Sequence, residues 1–304
     1  MFLAPAEFVA SPDALSREWA LNESLSYTRW LSTHHYENFH VVSFLLPKRL
    51  HQDFYNVYSF CRWADDLGDE IGDTTESLRL LSWWRGELHK MYEGQASHPV
   101  FVSLKDTALR YKLPQSLFDD LITAFEQDQT VTRYRSFEDV FGYCRNSANP
   151  VGRLVLGLCG YNDPERQALS DATCTALQLA NFWQDVIVDL EKDRVYLPLD
   201  LFDRHGYSVE ALFQRRFDAR FRAVMKDAVE VARELFLKGL PLAGMVDRRL
   251  AIDLELFSRG GMKVLEKIKR QDYNVLRARP AISKMERVGL LLGALGRRAF
   301  SRAA

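Results

Sequence analysis

The sequence predicts an all-α fold, and three observations predict it. Apolar residues recur at spacings of three and four, with charged residues between them. Long alternating polar and apolar runs, the mark of half-buried strands, are missing. Pro47, Pro99, Pro114, Pro150, Pro164, Pro198, Pro241 and Pro280 cut the chain into pieces of helical length. No internal repeat, low-complexity tract or Gly/Ser linker interrupts the 304 residues, so the simplest arrangement is one all-α domain over 1–304.

Composition narrows the function. The chain is 47% hydrophobic and 27% charged, with a formal net charge of -1, which is soluble globular composition. No basic excess points to nucleic acid. Cys61, Cys144, Cys159 and Cys174 form no CxxC pair, so neither a disulfide framework nor a zinc site is suggested. They read as reduced thiols of a cytoplasmic protein. The opening stretch "MFLAPAEFVASPDAL" lacks a basic start and a continuous apolar core, and does not read as a signal peptide. The apolar run from Val288 to Gly296 is too short to span a bilayer, which needs about 20 residues.

Three helices stand out, in chain order. In "FYNVYSFCRWADDLGDE", apolar Val57, Phe60, Trp63, Ala64 and Leu67 occupy several sides, while Tyr58, Arg62, Asp65 and Asp69 trace one polar stripe. Asp65 and Asp69 lie one turn apart on that stripe and repel. In "FGYCRNSANPVGRLVLGLCG", Pro150 inside an apolar helix is expected to kink it, with the small residues Ala148 and Gly152 beside the kink. That kink suits tight helix packing, or a gap in a cavity wall that admits a long apolar ligand. In "ALQLANFWQDVIVDLEKDR", apolar residues cover most sides and Gln178, Asn181, Asp185 and Asp189 form the stripe.

A solvated acidic face or buried ion pairs with Arg62 and Arg194 would explain one such stripe. Two stripes carry more carboxylates than nearby arginines. Hard oxygen ligands at this density suit Mg²⁺, held by a few carboxylates and a substrate's phosphates.

These stretches resemble the squalene/phytoene synthase family of head-to-head prenyl transferases. "YSFCRWADDLGDE" and "NFWQDVIVDLEKDRVYLP" match its two aspartate motifs, and "YCRNSANPVGRLVL" matches its tyrosine-to-glycine helix. "HYENFHVVSFLLP" and "RPAISK" match its N-terminal and C-terminal segments, so the resemblance covers about 30 to 290. It implies an all-α isoprenoid synthase fold around a central cavity, where aspartates of two helices hold Mg²⁺ and Mg²⁺ holds a prenyl diphosphate. By that resemblance, Asp65, Asp66, Asp69, Asp185 and Asp189 are metal ligands or their close support. Arg62, Arg194 and Tyr196 match positions near the diphosphate. Tyr58, Asn181 and Gln184 match polar lining positions. Tyr143 matches the tyrosine that faces the cation, and His35 the N-terminal histidine.

Two departures lean one way. Asn38 replaces the usual N-terminal serine, and "SANPVG" replaces an alanine-glycine stretch. Both look like bacterial hydroxysqualene synthases of hopanoid pathways, which imply presqualene diphosphate as substrate, water capture of a cation, and a separate reductase among other squalene-pathway enzymes. Asn149 and Asn38 are then the polar groups expected to aim the water, and Tyr58, Tyr143 and Phe39 the aromatic faces expected beside the cation, each close contact giving on the order of 1–2 kcal/mol. A synthase of presqualene diphosphate, squalene or phytoene shares the same motifs. A non-catalytic scaffold would not need both motifs intact.

The tail "SKMERVGLLLGALGRRAFSR" sets Lys284, Arg287, Arg297, Arg298 and Arg302 around an apolar centre. It suits peripheral contact with an anionic membrane, on the inner face of the cell membrane, or simple packing with solvated arginines.

Overall fold

The computed structural model describes residues 2–34, 47–283 and 285–286. His35, Asn38, Phe39, Lys284 and residues 287–304 lie outside them. The described chain is all-α, as the spacing predicts. Among the described residues there is no strand, and one isolated parallel bridge joins Arg133 to Val195.

The helices in chain order are α1 (Pro5–Val9), α2 (Pro12–Ser16), α3 (Leu21–His34), α4 (His51–Asp69), α5 (Thr74–Tyr92), α6 (Pro99–Tyr111), α7 (Gln115–Asp128) and α8 (Phe137–Ser147). After them come α9 (Asn149–Leu158), α10 (Pro164–Gln184), α11 (Val186–Glu191), α12 (Leu199–His205), α13 (Val209–Phe213), α14 (Ala219–Gly239) and α15 (Arg248–Arg270). Their starts follow the chemistry of orphan N–H groups. Pro99 and Pro164 open their helices, where a missing N–H costs nothing. Asp73, Asp163, Asp218 and Asp247 cap with their carboxylates, and Ser136 with Asp139 forms a capping box.

The chain divides into two compact units. One is Met1–Thr130 with Pro150–Asn162; the other is Val131–Asn149 with Asp163–Ala304. In the first, α4 packs on α3, α5, α6 and α7. Its aromatic side chains build the core: Trp63 stacks on Trp84 at 4.9 Å, and Phe60 meets Phe118 edge-on at 4.9 Å. In the second, α10 packs against α14 and α15. Glycines let these helices approach. A Cβ on Gly239 would meet Thr173 Oγ1 at 2.1 Å, and one on Gly261 would meet Phe236 at 2.1 Å.

The segment around Pro150 differs from expectation. It is a break, not a kink within one helix. α8 stops at Ser147, Ala148 turns with φ -107°, and α9 restarts at Asn149. Pro150 thus stands in the first turn of a new helix, where its ring and missing N–H do no harm.

Candidate active site

The first acidic set occupies the C-terminal end of α4. Helix C-termini carry a partial negative charge of about half an electron, so acids there are doubly unfavourable and a cation is favoured. The predicted stripe is the least covered side of the helix: Tyr58 and Arg62 are half-buried and Asp69 is exposed. The Asp65 side chain is 46% exposed, whereas Asp66 beside it is 2% exposed. Arg62 lies 2.5 Å from Asp66, 3.4 Å from Asp65 and 2.9 Å from Glu70. Burial still pushes the Asp66 carboxyl up to about 7, with Arg62 pulling the other way. Burial also raises the Tyr58 hydroxyl.

The second set sits where α10 gives way to α11. Asp185 occupies the break, with φ -102° and ψ 14°, and its N–H bonds to Asn181 O at 2.8 Å. Its carboxylate is held by Arg279, whose second guanidinium nitrogen reaches Oδ2 at 3.0 Å. Next to it, Gln184 donates to Pro280 O. The segment carrying Arg279 and Pro280 is therefore tied to the acidic break at two points. Asn181 is exposed and Asp189 half-buried.

α11 ends at Glu191, and the carbonyl of Asp189 accepts the N–H groups of Lys192 and Arg194 in the turn that follows. The turn places Asp193 at φ 54°, a conformation aspartate tolerates. Arg133 fixes it through a 2.6 Å bond to Asp193 Oδ1. Asp189 and Arg194 then line one small cleft, with Phe182, Tyr196 and Leu212 in its wall.

Aromatic rings gather beside that cleft. Tyr196 stacks on Phe182 at 3.6 Å and 7°. Tyr143 lies 6.0 Å from Phe182 and 5.8 Å from Tyr196, and Tyr134 lies 5.9 Å from Tyr143. All four rings are buried. Asn149, at the α8–α9 break, is also buried, and its Oδ1 accepts from Thr175 Oγ1 at 2.9 Å.

The structure thus gathers Asp185, Asp189, Gln184, Arg194, Tyr196, Tyr143, Asn149 and Asn181 in the second unit. Tyr58, Arg62, Asp65, Asp66 and Asp69 share α4 in the first. Sequence reasoning missed Arg279, Tyr134, Phe182 and Thr175. "RPAISK" held the signal for Arg279, but an arginine gives no hint of its partner's number. Phe182 reads as a core residue on its own helix, and only the stack on Tyr196 reveals it.

Among the described residues, no three His, Cys, Asp or Glu side chains converge to ligate one ion. The donor chemistry nonetheless fits Mg²⁺. Asp65, Asp69, Asp185 and Asp189 are hard oxygen donors, none of them fully buried. Asp66, turned onto Arg62, fits a supporting part.

Residues 32–286 match the model of the squalene/phytoene synthase family. The hydroxysqualene synthase of Rhodopseudomonas palustris is 35% identical over 253 residues, 82% of this chain and 85% of that protein. The phytoene synthase of Thermus thermophilus is 32% identical over 258 residues, 84% of this chain and 87% of that protein. The crystal structure of the squalene synthase HpnC from Alicyclobacillus acidocaldarius superimposes with a TM-score of 0.80 at 42% identity, covering 84% of this chain and 96% of that one.

Proposed function

The chain belongs to the squalene/phytoene synthase family, and on that premise we propose that it converts presqualene diphosphate and water into hydroxysqualene and diphosphate. The observation that carries this reading is the buried Asn149–Thr175 pair. A reaction that ends by losing a proton or gaining a hydride needs walls that keep nucleophiles out. A product with a hydroxyl needs one polar group held inside to receive one water. Thr175 and Asn149 pair with each other, and the amide keeps hydrogen-bonding capacity beyond that bond with which to receive a water.

When bound, Mg²⁺ would neutralise charge developing on the departing diphosphate; Asp185 and Asp189 in the second unit, and Asp65 and Asp69 in the first, each match a family aspartate motif whose carboxylates would hold it. Arg194, which lines the cleft with Asp189, would add charge-assisted hydrogen bonds to a diphosphate there, and Arg62 would do the same beside Asp65 in its own unit. The C–O bond breaks with its electron pair on the diphosphate, leaving a cyclopropylcarbinyl cation that rearranges. Tyr143 and the rings tilted around it would offer π-electron density that stabilises positive charge without attacking it. A water lone pair then forms the new C–O bond, and the surplus proton passes to the released diphosphate. No carbon is oxidised or reduced overall, so no nicotinamide is required.

A second reading rests on the likeness to a phytoene synthase: condensation of two prenyl diphosphates to presqualene diphosphate, squalene or phytoene. Product analysis separates the two. With Mg²⁺, the chain is incubated separately with presqualene, farnesyl and geranylgeranyl diphosphates. Hydroxysqualene from presqualene diphosphate is the expected outcome. Phytoene or squalene from the other substrates, with presqualene diphosphate untouched, establishes the second reading.

A further inference from the structure

Thr175 extends the polar stripe of α10 by one more step: Thr175, Gln178, Asn181 and Asp185 are spaced 3, 3 and 4. Cover increases along it. Asn181 is exposed, Gln178 half-buried and Thr175 only 7% exposed. At 1.5 Å per residue, Thr175 lies about 9 Å further along α10 than Asn181. Its sequence neighbours Ala172, Ala176 and Leu179 are buried and apolar. In such surroundings a hydroxyl must find a partner, and Thr175 Oγ1 donates to Asn149 Oδ1 at 2.9 Å.

A side-chain amide has two flips, which exchange its acceptor and its donors. The Thr175 hydroxyl donates to Oδ1 and so favours one of them; the other would need the hydroxyl to turn and accept from Nδ2. We propose that Thr175 orients the Asn149 amide and is thereby a product-determining position, an inference that rests on the hydroxysqualene reading above. In the selected flip, the second lone pair of Oδ1 accepts an O–H from a water and leaves that water's oxygen lone pairs for the cation. In the other flip, an N–H would donate to the water and blunt its attack. Thr175 touches neither substrate nor water in this role; it acts through Asn149.

The test is product partition from presqualene diphosphate, with Mg²⁺, for wild type, Thr175→Val and Thr175→Ser. The ratio of alcohol to hydrocarbon and rearranged by-products is taken per molecule consumed, so overall rate does not enter. Thr175→Val keeps the shape and removes the donor; the ratio is expected to fall about tenfold, the order of one lost buried hydrogen bond. Thr175→Ser restores the donor and should restore the ratio. If the valine variant does not fold by its circular-dichroism melt, Thr175→Ala takes its place. An unchanged ratio in the variant lacking the donor overturns the proposal alone. A ratio equally low in Thr175→Ser overturns it too, because packing and not the hydroxyl would then matter. No alcohol from wild type defeats the underlying reading, and the proposal with it.

Discussion

At the residue scale, Asp65 and Asp189 carry the proposed metal binding. Asp65 lies one turn before Asp69 and Asp189 one turn after Asp185, so each opposes a like charge, a repulsion that a cation would relieve. Asp65→Ala and Asp189→Ala are therefore expected to lower turnover by about 10²-fold or more at limiting Mg²⁺ while leaving the melting temperature unchanged or higher. Near-wild-type turnover in either variant removes that carboxylate from the metal set. Asp253 tells a different residue-level story, since it lies on α15 in the core. It is 3% exposed, and its Oδ1 has no hydrogen-bond partner among the described residues. Burial, with Asp247 adding to it, pushes this carboxyl from 3.8 up to about 7. The native state therefore holds a proton that the unfolded chain releases near pH 4. Stability from this group is full below about pH 4 and is lost as pH rises through 7. Asp253→Asn should flatten the stability curve across that window and exceed the parent by about 1–3 kcal/mol at pH 8. Parallel curves for parent and variant, from denaturant melts at several pH values, would contradict this.

At the element scale, the glycines of the second unit matter more than its charges. Gly261→Ala pushes a methyl into the Phe236 ring, and Phe236 is fully buried. Overpacking of this kind costs about 1–3 kcal/mol, which a lower denaturant midpoint at an unchanged slope would report. An unchanged midpoint would mean that the ring has another rotamer to take. Most helices were legible in the sequence because their signals are local. Apolar spacing of three and four gives the helix, and Pro99 or Pro164 after a capping residue gives its start. The break at Ala148 was not legible. Pro150 fits a kinked interior and a fresh first turn equally well, and only the packing of the flanking helices decides between them. The acidic stripes were legible for the same local reason. Their arginine partners divide by distance in sequence. Arg62 is four residues from Asp66, so the sequence offers it as a candidate ion-pair partner, whereas Arg279 is 94 residues from Asp185 and nothing in the sequence links the two. The Tyr196–Phe182 stack and the Thr175–Asn149 bond are likewise non-local, and periodicity carries no information about them.

For the whole molecule, the question is where it works. Among the described residues, no helix is long and apolar enough to cross a membrane. The proposed substrate and product carry C30 hydrocarbon chains, and release of such a product into water is unfavourable by about 0.8 kcal/mol for each CH₂ group exposed. An enzyme that stays near a bilayer avoids that step. The tail beyond Ser283 has the composition for it, with five basic residues around an apolar centre from Val288 to Leu295. Each lysine or arginine near an anionic surface contributes about 1 kcal/mol, within a Debye length of about 8 Å at physiological salt. Gly289, Gly293 and Gly296 weaken any helix there, each by up to about 1 kcal/mol relative to alanine, so electrostatics should outweigh insertion. The expected behaviour is salt-sensitive, peripheral association. Flotation with vesicles containing anionic lipid should carry the chain upward at low salt and release it at high salt, and a chain ending at Ser283 should stay at the bottom in both. Wild type that remains unbound at low salt rules the association out. Binding that survives high salt would mean that the apolar centre enters the hydrocarbon, and that hydrophobic burial, not charge, holds the protein to the surface.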